Sequence, residues 1–176
     1  MSTGMLVLVV GPSGAGKDTV LNFARTHLAS QPGFVFARRV ITRPADATED
    51  HAAVTEAEFF TRRFALSWAA HGLRYGIPAA IEADLAAGRT VIANVSRGVI
   101  DEARQLYRCF VVEITAPSEV LAARLAARNR EDASDIAARL ARTQPALGAD
   151  AVIVNDTTPE SASAAFVAAL RSVTLA

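Results

Sequence analysis

Residues Val9–Val20 read VVGPSGAGKDTV, and this stretch decides the fold. Before it runs MLVLVV (Met5–Val10), a continuous apolar segment of the kind that forms a strand buried on both faces. After it, Val20, Leu21, Ala24 and Leu28 recur at helical spacing. A glycine loop between a buried strand and a helix can turn its backbone N–H groups inward around an anion. The helix that follows adds its positive end. Gly11, Gly16 and Lys17 fall on the pattern G-x-x-x-x-G-K, in which the lysine supplies a point charge to nucleotide phosphates. The spacing therefore assigns nucleotide binding to Gly11, Pro12, Ser13, Gly14, Ala15, Gly16, Lys17, Asp18 and Thr19.

Asp18 is the departure, because such loops normally carry Ser or Thr after the lysine. The usual hydroxyl is a neutral Mg²⁺ ligand. A carboxylate is also a hard oxygen ligand and could take the ion directly or through water. The alternative is an acidic residue favoured at a helix start by the dipole alone.

Composition narrows the classes. The 176 residues are 51% hydrophobic with a formal net charge of zero, an ordinary soluble globular composition for one domain. A general polyanion binder would carry a basic excess, so no nucleic-acid partner is expected. No apolar run reaches transmembrane length and no basic, cleavable leader precedes the first strand, so no membrane partner and a cytoplasmic location are expected. The single cysteine, Cys109, sits in RCFVVEI and reads as a buried strand thiol. Among 18 basic residues Lys17 is the only lysine, which singles out that ammonium in a chain otherwise served by arginine.

Downstream, FVFARRVI (34–41) reads as one strand and the polar segment 42–54 as a loop. TEAEFF opens with a capping box, Thr55 and Glu58, and predicts a short helix. LSWAAHGLRYGIP predicts strand–turn–strand, and AAIEADLAAG a helix ended by Gly88. TVIANV, CFVVEIT and ADAVIVND predict further buried strands. RGVIDEARQLY, PSEVLAARLAARN, ASDIAARLARTQPALG and PESASAAFVAALRSV predict helices. Strands alternating with helices give an α/β fold, a parallel sheet with helices on both faces in three layers. The segment from about 34 to 88 breaks the alternation and reads as an insertion over the ligand-binding edge of the sheet.

By its motifs the chain resembles guanylate kinase. GPSGAGKD, ITRP, EFF, LSWAAHGLRYGIP, ITAPSEVLAARLAARNRED and VIVND follow in that family's order. The resemblance implies a P-loop nucleoside monophosphate kinase-like fold with an acceptor-binding insertion and an arginine-bearing lid at about 124–142. The substrate residues depart from it. Ser67 stands where guanylate kinase carries a glutamate that reads guanine, Ile77 where it carries a base-binding hydroxyl, and His51 in place of an acceptor-binding tyrosine. NVSRG, with Asn94, Ser96 and Arg97, replaces an aspartate-rich stretch.

In these departures the chain resembles a related family, the ribose 1,5-bisphosphate phosphokinases of bacterial phosphonate degradation. The resemblance rests on GPSGAGKD, ITR, EDH, ALSW, GLRYGI, NVSRG and RNRE…ARLAR. It implies ATP-dependent phosphorylation of a sugar bisphosphate to 5-phosphoribosyl 1-diphosphate, and Asp18, the candidate Mg²⁺ ligand, belongs to that family's version of the loop. A phosphate nucleophile needs no general base, so the site needs cations and positioning. Lys17, Arg43, Arg124, Arg128 and Arg139 are the expected catalytic cations. Arg38, Arg39, Arg43, His51, Tyr75, Asn94, Ser96 and Arg97 are the expected acceptor ligands, with Arg74 a further candidate, and Asn155 would lie near the adenine. A homodimer is an open expectation. A guanylate kinase with an altered pocket and a non-catalytic interaction module remain the alternatives.

Overall fold

The computed structural model describes residues 3–47, 49–127 and 148–174. Arg128, Arg139, all but the last residue of the expected helix ASDIAARLARTQPALG, and most of the expected lid lie outside the described residues. The chain divides into two compact units, Met1–Leu8 with Leu28–Phe110, and Val9–His27 with Val111–Ala176. The divisions fall inside two strands, β1 (Met5–Val10) and β8 (Cys109–Thr115). The main sheet has the order β2-β7-β1-β8-β9, where β2 is Phe34–Phe36, β7 is Thr90–Asn94 and β9 is Ala151–Val154. Its β2–β7 and β8–β9 pairs are parallel, as the alternation of strands and helices requires. Every residue of β1 and β7 is buried.

In the first unit, FVFARRVI does not form one strand. Phe34–Phe36 pair with β7 in the main sheet, while Val40–Ile41 (β3) join a second sheet of order β4-β3-β6-β5. The two pieces share β propensity but have different partners, and the chain leaves one sheet for the other across Ala37–Arg39. The segment read as loop contains β4 (Ala52–Ala53), parallel to β3. The strands β5 (Phe64–Ala70) and β6 (Leu73–Pro78) form the expected hairpin. Its two-residue turn has His71 and Gly72 at φ 54° and 72°, the positive dihedrals that suit the twist of a tight hairpin. A side chain at Gly76 would run into the Phe64 ring, which stacks on Phe59 at 4.3 Å.

The short helix α2 (Glu56–Phe60) carries the full capping box. Thr55 Oγ1 accepts from Glu58 N at 3.2 Å, and the Glu58 carboxylate accepts from Thr55 N at 2.7 Å. That backbone hydrogen bond holds the Glu58 carboxyl below the usual carboxylate range. The helix α3 (Ile81–Ala86) ends before Gly88 at φ 79°, as expected. A 3-10 turn, Arg97–Val99, leads into α4 (Ile100–Leu106). Tyr107, just beyond α4, donates to Glu82 at 2.9 Å; burial and that hydrogen bond push its phenol up to about 12, so it stays neutral and structural.

In the second unit, α1 (Lys17–His27) packs on α6 (Pro159–Thr174). Val20, Leu21 and Ala24 are buried on one helix, and Phe166, Val167 and Leu170 on the other. The helix α5 (Ser118–Ala127) buries Leu121 and Leu125. Strand β9 is not buried throughout. It is the last strand of its sheet, and Val152 and Val154 are 57% and 50% exposed while Ile153 is buried. Cys109 is likewise only partly buried, because it opens β8 instead of lying inside it. No described helix is long and apolar enough to cross a membrane.

Candidate active site

The first cluster is built by the glycine loop between β1 and α1. Gly11 has φ 149°, and a Cβ there would overlap the Ile114 carbonyl, so the loop can leave β1 only through a glycine. Gly16 has φ 82°, and a Cβ there would stand 2.6 Å from Asn155 Nδ2. Ala15 N donates back to Pro12 O at 3.2 Å, and Val20 N donates to Gly16 O at 3.0 Å as α1 begins. Lys17 Nζ lies over the loop it follows, donating to Gly11 O at 2.6 Å and to Pro12 O at 3.1 Å. Ser13 and Thr19 are exposed, and Asp18 is half-buried in the first turn of α1. A strand end, a glycine loop, a helix N-terminus and one ammonium are thus assembled from consecutive residues.

Two residues remote in sequence complete this cluster. Asn155, 2% exposed at the end of β9, donates from Nδ2 to Ala15 O at 2.8 Å. Arg124 of α5 donates to Gly14 O at 3.2 Å, Ala15 O at 3.4 Å and Asn155 O at 2.9 Å. Arg124, expected as a cation on the transferring phosphoryl group, lies here on main-chain carbonyls.

The second cluster lies in the first unit, along β3 and the segment that returns to β4. Arg39 Nε donates to Glu49 Oε1 at 2.7 Å, and its Nη2 also meets that oxygen. Arg43 Nη2 donates to Glu49 Oε2 at 3.2 Å, and Arg43 Nε stands 3.4 Å from the Asp46 carboxylate. Arg38 Nε donates to Asp50 at 2.9 Å. One nearly buried carboxylate, Glu49, therefore bridges two guanidinium groups. The Arg39 guanidinium lies 5.5 Å from the Tyr75 ring centroid, and Tyr75 stacks on Trp68 at 5.4 Å and 3°.

His51, expected to face the acceptor, is 2% exposed. Its ring nitrogens stand 3.2 Å from Glu49 O and 3.1 Å from Arg43 O, so it closes the loop that carries Arg43 and Glu49. Arg74 pairs with Glu56 and lies over Phe60, on the exposed side of the small sheet. Asn94 is buried at the end of β7, and Ser96 caps the 3-10 turn that holds Arg97. Ser67 is exposed on β5 opposite Gly76, whereas Ile77 is wholly buried.

Comparison with known proteins decides the family. Residues 6–147 match a family described as AAA domain. Ribose 1,5-bisphosphate phosphokinase PhnN of Acidiphilium cryptum is 60% identical over 168 residues, 96% of this chain and 93% of the relative. The protein of the same name from Methylobacterium radiotolerans is 51% identical, covering 96% of this chain and 98% of the relative. The chain belongs to the ribose 1,5-bisphosphate phosphokinase family. Guanylate kinase from Anaplasma phagocytophilum shares the fold at a TM-score of 0.75 and 20% identity, over all of this chain and 89% of that one.

As a ribose 1,5-bisphosphate phosphokinase family member the chain is a kinase, and its phosphate loop was legible from spacing alone. Glu49, Asp46 and Asp50 were missed as partners of the arginines. EDH was read for its histidine, yet three arginines followed by three carboxylates within residues 38–50 already signalled a neutralised cluster.

Proposed function

We propose that this kinase transfers the γ-phosphoryl group of ATP to the 1-phosphate of ribose 1,5-bisphosphate, giving 5-phosphoribosyl 1-diphosphate and ADP. The bond that forms joins an acceptor phosphate oxygen to the γ-phosphorus, and the bond that breaks joins the γ-phosphorus to the β–γ bridging oxygen. The observation that carries this reading is 60% identity, over 96% of the chain, to a protein of that name. The acceptor oxygen is already anionic near neutral pH, so no side chain has to remove a proton. The loop amides and Lys17 would hold the donor phosphates and draw off charge as the bridging oxygen leaves. Arg39 and Arg43 would meet the acceptor phosphates. Both are carboxylate-paired, so an incoming phosphate exchanges one charged partner for another. Asn155 would stand beside the nucleotide, and Asn94, Ser96 and Arg97 at the end of β7 would complete the acceptor side.

Magnesium fits the donor set. Among the described residues no group of three or more His, Cys, Asp or Glu could hold a metal ion. Mg²⁺ commonly uses one or two carboxylates with water and substrate phosphates, and the half-buried Asp18 offers one. Bound there, the ion would neutralise phosphate charge. Asp18→Asn should raise the Mg²⁺ needed for half-maximal rate by about tenfold, whereas Asp18→Ser restores a ligand common at this position. An unchanged Mg²⁺ titration in Asp18→Asn removes the metal role.

The function is tested by incubating the protein with ATP, Mg²⁺ and ribose 1,5-bisphosphate and following 5-phosphoribosyl 1-diphosphate by phosphorus NMR. The diphosphate doublets of the product should grow as the acceptor's 1-phosphate signal falls. ATP consumption with GMP but not with the bisphosphate would overturn the reading. A second copy of the chain as partner would be read from the mass in solution.

A further inference from the structure

The contacts of Arg124 and Asn155 converge on one peptide of the loop. Asn155 Nδ2 and Arg124 Nη1 both donate to Ala15 O, at 2.8 and 3.4 Å. The Ala15–Gly16 peptide bond is trans, so the carbonyl of residue 15 and the N–H of residue 16 point to opposite sides of one rigid plane. Pinning Ala15 O therefore sets the direction of the Gly16 N–H. The neighbouring Ala15 N–H is already spent on Pro12 O. Gly16 N–H is the amide at the threshold of α1, next to Lys17, where a bound anion would gain most from a fixed donor.

The same contacts explain the glycine itself. Asn155 reaches Ala15 O only by passing over Gly16, where a Cβ would stand 2.6 Å from its Nδ2. Gly16, Asn155 and Arg124 are thus matched although they lie on the loop, at the end of β9 and on α5. Arg124 adds a bond to the Asn155 carbonyl at 2.9 Å, so it ties the asparagine's main chain to the loop as well. Asn155 Oδ1 is buried with no hydrogen-bond partner among the described residues, so the side chain is held through its donor end.

We propose that Arg124 and Asn155 are positioning residues that orient the Ala15–Gly16 peptide for phosphate binding. The proposal rests on the loop's holding nucleotide phosphates, as in the function above. It separates Arg124 from a cation that touches the transferring group, and from a residue that touches the adenine.

The test uses Arg124→Gln, Arg124→Lys, Asn155→Ala and the double variant Arg124→Gln/Asn155→Ala in the full chain. Affinities for ADP and for inorganic triphosphate are measured by titration calorimetry, beside kcat and the KM for ribose 1,5-bisphosphate. Arg124→Gln should weaken ADP and inorganic triphosphate by about the same factor, roughly tenfold, with the acceptor KM unchanged. Arg124→Lys, which keeps a donor but loses the fork, should recover part of the loss. Because both side chains hold the same carbonyl, the double variant should lose clearly less than the product of the two single losses. A fall in kcat with ADP affinity intact would make Arg124 a contact of the transferring group and overturn the proposal. Loss of ADP but not triphosphate affinity would make it a base contact, and fully multiplicative losses would deny the shared carbonyl; either also overturns it. Thermal melts of the unliganded variants exclude misfolding as the cause. Failure of the wild-type chain to bind either ligand would instead sink the loop reading itself.

Discussion

Lys17→Ala should lower kcat by about 10³-fold while leaving the fold intact. Removing one preorganised donor from a transition-state site costs roughly 10²–10³ in rate, and an ammonium on transferring phosphate belongs at the upper end. That factor equals about 4 kcal/mol of transition-state stabilisation. The effect falls on rate because charge on the bridging and γ-phosphate oxygens grows along the reaction, so the ammonium is worth more in the transition state than in the bound ground state. The two carbonyls that Lys17 meets, Gly11 O and Pro12 O, belong to a partly exposed loop and remain open to water in the variant. Lys17→Arg should not restore the rate, because a planar fork does not fit where a compact ammonium rests 2.6 Å from a carbonyl oxygen. The check is single-turnover kinetics with circular dichroism melts of both variants. A Lys17→Ala protein that folds normally and turns over near the wild-type rate would place catalysis elsewhere.

GMP should be phosphorylated at least ~10³-fold less efficiently than ribose 1,5-bisphosphate when kcat/KM is compared with the same ATP and Mg²⁺. A site that reads a base by hydrogen bonds discriminates by about 10⁴–10⁵ against a mismatched partner, because buried polar groups are left unpaired. Guanine offers two donors on one edge, which a carboxylate accepts together. Ser67, exposed on β5, offers a single hydroxyl that cannot replace it. Ile77, fully buried, offers nothing to a ligand. Ser67→Glu should raise GMP turnover by no more than about tenfold, since one restored contact recovers only part of such a gap. Arg39 and Arg43 would still be paired with Glu49, and His51 would still close their loop. Equal kcat/KM for the two acceptors in the unmodified protein would show that the β5 surface does not read the acceptor.

How far the residues could be read follows the range of the interaction. The phosphate loop was legible because its parts are adjacent: an apolar strand, glycines at backbone positions of positive φ, a lysine and a helix start. The capping box of α2 and the stop at Gly88 were legible for the same reason, each being closed by residues within one turn. The family resemblance added the order of motifs, and with it the family. Local pattern could not divide 34–41 between two sheets, because Phe34–Phe36 and Val40–Ile41 have similar β propensity and differ only in their partners, Thr90–Ile92 and Tyr75–Gly76. Nor could it show that β9 ends a sheet and leaves Val152 and Val154 exposed, since an edge strand and a central one can share an apolar composition. The arginines show the limit most plainly. A sequence names a guanidinium without its partner, and the fold brought Glu49 between Arg39 and Arg43 and laid Arg124 on carbonyls more than 100 positions away. Sequence alone determined that a phosphate loop stands between a buried strand and a helix, because neighbours in the chain make it. Tertiary structure decided that Arg124 lies on the carbonyls of Gly14 and Ala15, because those partners meet only when distant segments pack.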